Sequence, residues 1–557
     1  MGATAAIYYS QDGYDTGGAR LLGRQAAGEG FLKGLVRYGT AECLYCYCGS
    51  EGEFREFGDR VGPWMRHPRR MQWLPIGEIE ALNAAGTLYV PSPTLGNLAW
   101  QRSYFDRRSY SLCGITHTTA SQGVMQAIGD LLVAPFEPWD AIICTSQAAK
   151  AGVESLLASW GDYLAGRTGG KPKIEVQLPV IPLGVDGDRF LPAEAAKPVG
   201  DRLRQQLGIA PEDIVVLFVG RLIAHAKAHP VPTYLALERA AQATSKRLHL
   251  IQAGWFELPE HEHEFKKSAA VFCPSANVIF LDGRQPDIRD RIWYAADIFL
   301  SLADNIQETF GLTPIEAMAA GLPVIVSDWN GYRESVRDGI DGLRIPTLLP
   351  PAGSGSDIAR HYFEERINYS TYIGDVASLT AIDVEACATA LVRLIADGEL
   401  RRKMGENGRQ RVRETYDWSV VISAYEALWE ELAMLRGSAP LSVYPTQKGF
   451  PHPLGDDPFR TFAHYSSQTL ADTTVVSLGS MATVEGVKAV MGFGFDLTGF
   501  ELRMPPETLG QLLAQVRTRG RATIEELKQC FSQTSPDRLY RTIVYLLKFD
   551  ILKVVDR

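Results

Sequence analysis

The chain has 557 residues, of which 46% are hydrophobic and 22% are charged, as is typical of a folded protein of about three domains. A formal net charge of −9 argues against a mainly nucleic-acid-binding role, since such proteins favour basic surfaces. No apolar run approaches the roughly 20 residues of a membrane span, and the N-terminal residues have no signal-peptide pattern. We therefore expect a cytoplasmic protein, with a peripheral location at the inner face of a membrane left open.

The first half of the chain alternates short apolar segments with helical segments. The apolar segments, each predicted as a strand, are AAIYY, CLYCYC, TLYV, SLCGITH and AIICTS. This alternation is typical of a parallel sheet covered by helices on both faces. Cys43, Cys46 and Cys48 lie in the second segment without further ligands for a zinc site, so we expect them to line a buried strand.

A second set of apolar segments follows residue 190. Its predicted strands are IVVLFVG, RLHLIQAG, VIFLDG, DIFLSL and PVIVSD. Two such sets predict two doubly wound domains, in which ligands bind at the carboxyl ends of the strands. Gly18, His117, Arg221 and Glu308 all follow predicted strands, so we expect them to converge on one cleft between the domains.

The stretch from Glu308 to Asp328 carries the most information about function. Glu308 and Glu316 stand eight positions apart, on either side of a predicted helix start. Thr313 is predicted as the N-cap, and Gly321 ends the helix after about two turns. The free N–H groups of such a helix start form an anion site, and flanking carboxylates suit sugar hydroxyls. The alternative is that Thr313 and Glu316 form a capping box, which needs no ligand.

The remaining segments differ in composition from these two sets. Residues 349–372 are polar and are predicted as an insertion of unknown use. Residues 436–504 are rich in proline and glycine at their start and are predicted as a linker. Three helical patterns and a short strand follow in 505–557, where Ser535 and Pro536 predict the start of the third helix. This last segment resembles a winged-helix module.

Several motifs along residues 1–435 resemble, in their order, those of the retaining glycosyltransferases of family four. They are YDTGGARL, GITHTT, IPLGVDGDRF, VLFVGRL, VIFLDG, the E-x7-E stretch and YDWSVVISAYEALWEEL. The resemblance implies an α/β GT-B fold of two Rossmann-like domains facing a cleft. We accordingly predict an acceptor-side domain at 1–190, a nucleotide-sugar-binding domain at 191–435, the linker, and the module at 505–557.

The resemblance also implies the roles of individual residues. The predicted catalytic residues are His117, Arg221, Lys227 and Glu308. The predicted donor-binding residues are Gly17, Gly18, Gly311, Leu312, Thr313 and Glu316. The family places its lysine five residues after the arginine, whereas Lys227 stands six after Arg221, so its position needs a geometric check.

The implied reaction transfers a sugar from a nucleotide-diphosphate sugar with retention of configuration and without a metal or other cofactor. We find no Asp-x-Asp pair suited to a metal-dependent alternative, and Asp304 with Asn305 is the nearest approach to one. Two alternatives remain, a nucleotide-sugar epimerase and a regulatory or scaffold protein built on the fold. The acceptor is not identified. We expect no nucleic-acid partner, and 505–557 is a candidate site for a protein partner or for homo-oligomer formation.

Overall fold

A computed structural model of the protein describes residues 4–15, 23–440, 452–492 and 500–555. Its internal contacts divide the chain into two units, Met1–Gln447 and Lys448–Arg557. No helix within the described ranges combines the length and the apolar character needed to cross a membrane.

A six-stranded parallel sheet forms the first half of the first unit. Its strands are β1 (Ala6–Tyr8), β2 (Cys43–Cys48), β3 (Arg70–Pro75), β4 (Thr87–Tyr89), β5 (Ser111–Ile115) and β6 (Ala141–Ile143). The associated helices are α1 (Gln11–Tyr14), α2 (Gly23–Tyr38), α3 (Glu51–Val61), α4 (Gly96–Ser103), α5 (Gln122–Gly129) and α6 (Gln147–Thr168). The strand order is β3-β2-β1-β4-β5-β6, the order of a doubly wound dinucleotide-binding sheet. Cys46 and Cys48 are buried within β2, as predicted, whereas Cys43 at its start is only partly buried.

The second half of the unit repeats this topology. Its strands are β7 (Ile214–Val219), β8 (Leu248–Gly254), β9 (Asn277–Asp282), β10 (Ile298–Ser301), β11 (Val324–Ser327) and β12 (Gly342–Ile345). The accompanying helices are α7 (Ala193–Gln206), α8 (Pro230–Ala243), α9 (Pro259–Phe272), α10 (Pro286–Ala295), α11 (Leu312–Ala320) and α12 (Tyr332–Ser335). The order β12-β11-β10-β7-β8-β9 equals that of the first sheet when each set is numbered from its own first strand.

The predicted fold class, two doubly wound Rossmann-like domains of the GT-B type with a helical C-terminal region, is confirmed. The sequence patterns identified five strands of each sheet and missed β3 and β12. Both missed strands lie at a sheet edge, where one side of the strand has no partner in its sheet. Their polar residues, such as Arg70 and Arg344, reflect this partial exposure and weaken the apolar pattern.

The chain between β12 and the last helix of the first unit forms a pair of short antiparallel strands and four helices. Its elements are β13 (Thr347–Leu348), α13 (Ser356–Phe363), α14 (Tyr369–Ser378), β14 (Ala381–Ile382), α15 (Val384–Ala396) and α16 (Gly398–Arg411). The predicted insertion at 349–372 therefore contains α13 and the start of α14, and β13 pairs with β14 antiparallel.

Helix α17 (Trp418–Ser438) returns to the first sheet. The rings of Tyr425 and Phe31 lie 4.9 Å apart, and Trp418 packs edge-on against Phe31. At the far end of the helix, Arg436 donates to the Gly86 carbonyl at 2.5 Å and to the Ser111 hydroxyl at 2.6 Å. This helix thus belongs in space to the first sheet, although it follows the second sheet in sequence.

The second unit contains a small antiparallel sheet and helices. Its elements are α18 (Pro458–Thr461), β15 (Val475–Leu478), α19 (Val484–Gly492), α20 (Pro506–Arg519), β16 (Ala522–Thr523), α21 (Ile524–Cys530), α22 (Pro536–Lys548) and β17 (Leu552–Val554). Ser535 caps α22 by accepting from the Arg538 N–H, as predicted. The segment predicted as a linker, 436–504, contains β15, which lies between β16 and β17 and buries Val476 in the unit's core. This part of the segment is therefore folded. The likeness to a winged-helix module stays a prediction.

Candidate functional site

The second sheet places its charged residues at the point where its strand order reverses. β7 and β10 are neighbours in the sheet, but the chain leaves them toward opposite edges, and such a switch point opens a crevice at the carboxyl ends of the strands. Arg221 follows β7 and Glu308 follows β10. A small cavity lies here, and its lining residues are Phe218, Val219, Gly220, Lys227, Ala228, Ser301, Ala303, Glu308, Thr313 and Tyr332.

Lys227 and Glu308 form an ion pair across this cavity. The Lys227 Nζ lies 3.1 Å from the Glu308 Oε2, and the side chains are 32% and 16% exposed. Burial raises the pKa of Glu308, but the Lys227 ammonium and the N–H groups of Phe310 and Thr309 reverse this and hold it below its ordinary value. The carboxylate is therefore ionised at neutral pH. Despite its spacing from Arg221, Lys227 lies in the same crevice.

Arg221 is half-buried beside this pair. Burial lowers its pKa, while the carboxylates of Glu257 and Glu308 act in the opposite direction. An arginine remains charged despite such a shift. Arg221 forms no hydrogen bond or ion pair with any residue that the structure describes. Its guanidinium is therefore available to an anionic ligand.

Helix α11 begins at Leu312, so the prediction of Thr313 as its N-cap is wrong. The N-cap is Gly311, which has a φ of 88° and makes no side-chain capping bond. A Cβ on Gly311 would lie 1.9 Å from the Tyr332 ring, so only glycine fits between this ring and the helix start. The helix therefore starts two residues earlier than the Thr-Pro pattern indicates. The capping-box alternative requires Thr313 at the N-cap and is excluded with it.

The backbone N–H groups of Gly311, Leu312 and Thr313 form the open end of α11. None of the three donates to an acceptor in the described part of the chain, which is the usual condition of a helix start. Thr313 also lines the cavity that holds Lys227 and Glu308. The positive end of the helix dipole thus adds to the two cations at this edge. At its other end α11 stops at Gly321, with a φ of 87°, as predicted.

Glu316 lies in the second turn of α11 and is 22% exposed. Its nearest cation is Arg189, whose Nη1 lies 3.7 Å from the Glu316 Oε1, beyond hydrogen-bond distance. Burial raises its pKa, and Arg189 and Arg289 counteract part of this effect. The carboxylate thus retains the capacity to accept hydrogen bonds from a ligand.

His117 follows β5 of the first sheet and faces the second sheet's loop. Its backbone carbonyl accepts a hydrogen bond from the Thr309 hydroxyl at 2.8 Å, and Thr309 directly follows Glu308. Burial and, to a smaller extent, Arg24 lower the pKa of the His117 imidazole, a hydrogen bond to the Pro91 carbonyl opposes them, and the resulting pKa is about 4. The imidazole is therefore neutral at neutral pH. With one ring nitrogen engaged by Pro91, the other can accept a hydrogen bond.

Gly17 and Gly18, the remaining predicted donor-binding residues, lie outside the described residues. The structure thus brings His117, Arg221, Lys227, Glu308 and the start of α11 to one crevice, with Glu316 on the same helix. Their catalytic and binding roles stay predictions.

Several residues at the crevice have no signal in the sequence motifs. The Ser146 hydroxyl donates to the Thr309 carbonyl at 2.7 Å and so ties the first sheet to the loop after β10. The Glu334 carboxylate accepts from the Gln147 N–H at 2.9 Å, at the start of α6. Tyr332 places its ring against Gly311. These contacts join residues distant in sequence, so no local sequence pattern predicts them.

Asp304 is buried near the crevice rather than at its surface. Its Oδ2 accepts from the His229 N–H at 3.2 Å, and burial raises its pKa to about 7. Within the described ranges, no group of three or more histidine, cysteine, aspartate or glutamate side chains is arranged to hold a metal ion.

Comparison with known proteins assigns a class to the domain that contains the second sheet. Residues 200–348 match the family Glycosyl transferases group 1, so the chain contains a glycosyltransferase domain. The D-inositol 3-phosphate glycosyltransferase of Geodermatophilus obscurus is 31% identical over 260 residues, which are 45% of this chain and 53% of that protein. The protein of the same name from Nocardia farcinica is 33% identical over 174 residues, or 30% of this chain and 36% of that protein.

Among solved structures, the chain is similar to Anabaena HepE in complex with UDP and glucose. The TM-score is 0.49 and the identity 15%, over 77% of this chain and 100% of that one.

Proposed function

We propose that the protein is a retaining, metal-independent glycosyltransferase that takes a sugar from a nucleotide-diphosphate sugar. The observation that carries this proposal is the switch-point crevice, where Lys227, Glu308 and Thr313 at the open end of α11 line one small cavity and Arg221 interacts electrostatically with Glu308. Three positive groups at one edge suit a diphosphate, and two nearby carboxylates suit the hydroxyl groups on either side of it. The glycosyltransferase domain at residues 200–348 supports the same class of reaction.

In this proposal Arg221 and Lys227 stabilise the departing diphosphate. Negative charge on the leaving group grows as the bond to the sugar breaks, so fixed cations bind the transition state more strongly than the ground state. The free N–H groups of Gly311, Leu312 and Thr313 add donors that need no reorientation during the reaction. No metal ion is then required to neutralise the leaving group.

The carboxylates and the histidine orient the donor. We assign Glu316 to the ribose hydroxyls, because it accepts no hydrogen bond from the described residues and lies one turn into α11. We assign Glu308 to hydroxyls of the transferred sugar, since Lys227 keeps it ionised at the centre of the crevice. His117 would hydrogen-bond the sugar near its reacting carbon through the ring nitrogen that Pro91 leaves open.

Retention of configuration follows if the acceptor attacks the face from which the diphosphate departs. The leaving diphosphate oxygen then takes the acceptor's proton, and the protein supplies positioning and charge stabilisation rather than a nucleophile. Glu308 is held by Lys227 and by two backbone N–H groups, an arrangement that suits hydroxyl binding.

A panel of nucleotide sugars tests this proposal. The full chain is incubated with each sugar in EDTA, and release of nucleoside diphosphate is measured by chromatography. We expect at least one donor to be hydrolysed in EDTA, and the first anomer of the product, observed by NMR, to retain the donor's configuration. Release that requires added manganese, or a product of inverted configuration, would contradict the proposed mechanism.

A further inference from the structure

The hydroxyl of Tyr369, at the start of α14, lies between the two halves of the proposed site. It is 3.3 Å from the Thr118 Oγ1 and 3.5 Å from the Gln307 Oε1. Gln307 accepts only through its carbonyl oxygen, so the tyrosine donates to Gln307 and accepts from Thr118. The amide group of Gln307 donates in turn to the Ala226 carbonyl. One chain of hydrogen bonds therefore crosses the crevice.

Three residues of this hydrogen-bonded chain are direct sequence neighbours of predicted site residues. Thr118 follows His117, Gln307 precedes Glu308, and Ala226 precedes Lys227. A shift of any of these neighbours by a fraction of an ångström would move the adjacent side chain with it. Tyr369 belongs to neither sheet, so its contacts fix the loops of both sheets relative to a third element.

Apolar packing holds that third element in place. Ile373 of α14 is buried with Ala120, from the first sheet's loop, and with Ile223 and Ala226, from the loop after β7. The Tyr362 hydroxyl of α13 accepts from the Gln122 N–H at 3.0 Å. The start of α14 is thus anchored to both halves of the unit, and Tyr369 is presented from a fixed base.

We propose that Tyr369 is a positioning residue that holds His117, Lys227 and Glu308 at their working separation through its hydroxyl. The proposal rests on the proposed function, because the working separation is that of a sugar donor between the two sheets. It also gives the insertion at 349–372 a role, since without the insertion the three loops would have no common contact of this kind.

The test compares Tyr369→Phe with Tyr372→Phe. Tyr372 lies one turn further along α14 and stacks on Tyr362 at 4.3 Å, and its hydroxyl forms no hydrogen bond with a residue that the structure describes. Both substitutions remove one hydroxyl and keep the ring, so both proteins should fold and melt within about 2 °C of wild type. The measurements are kcat and KM for the hydrolysed donor, and hydrogen exchange of peptides covering 116–122 and 305–310.

We expect Tyr369→Phe to lower kcat about tenfold while KM stays within about twofold, because a misplaced reacting group affects chemistry more than binding. Exchange should become faster in both peptides for Tyr369→Phe and stay unchanged for Tyr372→Phe. If the two variants are alike in kcat and in exchange, Tyr369 does not position the site.

The exchange measurement also separates this inference from the proposed function. If the wild type hydrolyses no nucleotide sugar, the proposed function fails. Faster exchange in both loops of Tyr369→Phe alone would then still support the coupling that Tyr369 provides. Unchanged exchange would overturn it, whatever the activity of the wild type.

Discussion

The two six-stranded sheets share one strand order but differ in what they place at the crevice. The second sheet contributes charged groups, namely the Lys227–Glu308 pair, Arg221 and the positive end of α11. The first sheet meets the loop after β10 through neutral groups, the His117 carbonyl and the Ser146 hydroxyl among them. The same topology thus supports two different tasks.

The difference indicates a division of labour between the sheets. Charge stabilisation is strongest when the charges are fixed and partly removed from water, as they are at the second edge. Neutral hydrogen bonds at the first edge orient a substrate without competing for its charge. If this division holds, substitutions at the second edge should reduce the rate or binding sharply, and those at the first edge should act more weakly.

Removing Arg221 should have the largest effect and would test the second edge directly. We expect Arg221→Ala to lower kcat by about 10²-fold or more while raising KM less, because leaving-group charge grows in the transition state. The matched control is Arg284→Ala, since Arg284 also follows a strand of the second sheet, β9, but pairs with Asp282 at 2.9 Å. Steady-state kinetics give kcat and KM for both variants. Equal kcat in wild type and Arg221→Ala would contradict the placement of Arg221 in the site.

Neutralising Glu308 should have the second-largest effect and should mainly reduce turnover. Glu308→Gln keeps the size of the side chain but loses the charge that pairs with Lys227, so we expect kcat to fall about ten- to a hundredfold with a smaller change in KM. Donor hydrolysis over a range of concentrations gives both constants. A raised KM at constant kcat would instead assign Glu308 to uniform binding of the donor.

Removing Glu316 should weaken nucleotide binding. Loss of a charge-assisted hydrogen bond costs about 1.5–3 kcal/mol, which corresponds to roughly a ten- to hundredfold rise in Kd for a nucleoside diphosphate. Because Glu316 forms no capping box, the Tm of Glu316→Ala should stay near that of wild type. Unchanged affinity in a titration calorimeter, with a lowered Tm, would give Glu316 a structural role only.

The prediction for His117 concerns a different property, the dependence of stability on pH. The pKa of its imidazole is about 4 in the folded protein and about 6.5 in the unfolded chain, so the unfolded state binds more protons between these values. Its contribution to stability is therefore full above pH 6.5 and is lost as the pH falls toward 4. Urea unfolding of wild type and His117→Asn across this range should give a flatter dependence in the variant. Parallel curves would contradict the neutral, buried imidazole.

The sequence predicted the elements whose patterns are local. Ten strands carry apolar runs that are long enough to identify in the sequence, whereas the edge strands β3 and β12 contain polar residues that interrupt the pattern. The positions of Arg221 and Glu308 after their strands followed from the same patterns. These signals sufficed to predict the fold and the crevice.

The contacts that complete the crevice were not predictable in this way. The start of α11 depends on Gly311 fitting against Tyr332, 21 positions further along the chain. Tyr369 joins Thr118 and Gln307 over sequence distances of 251 and 62 residues. Such contacts arise from tertiary packing. The sequence around each contacting residue shows no periodicity from which the contact could be predicted.

Titration of the full chain with nucleoside diphosphates and with the matching monophosphates tests the central claim most directly. If Arg221, Lys227 and the start of α11 form a diphosphate site, one diphosphate should bind at least about tenfold more tightly than its monophosphate, a difference of about 1.4 kcal/mol. Arg221→Ala should remove most of that difference. Equal affinity for the two ligands, or no binding of any diphosphate, would contradict the assignment of the second edge to the leaving group.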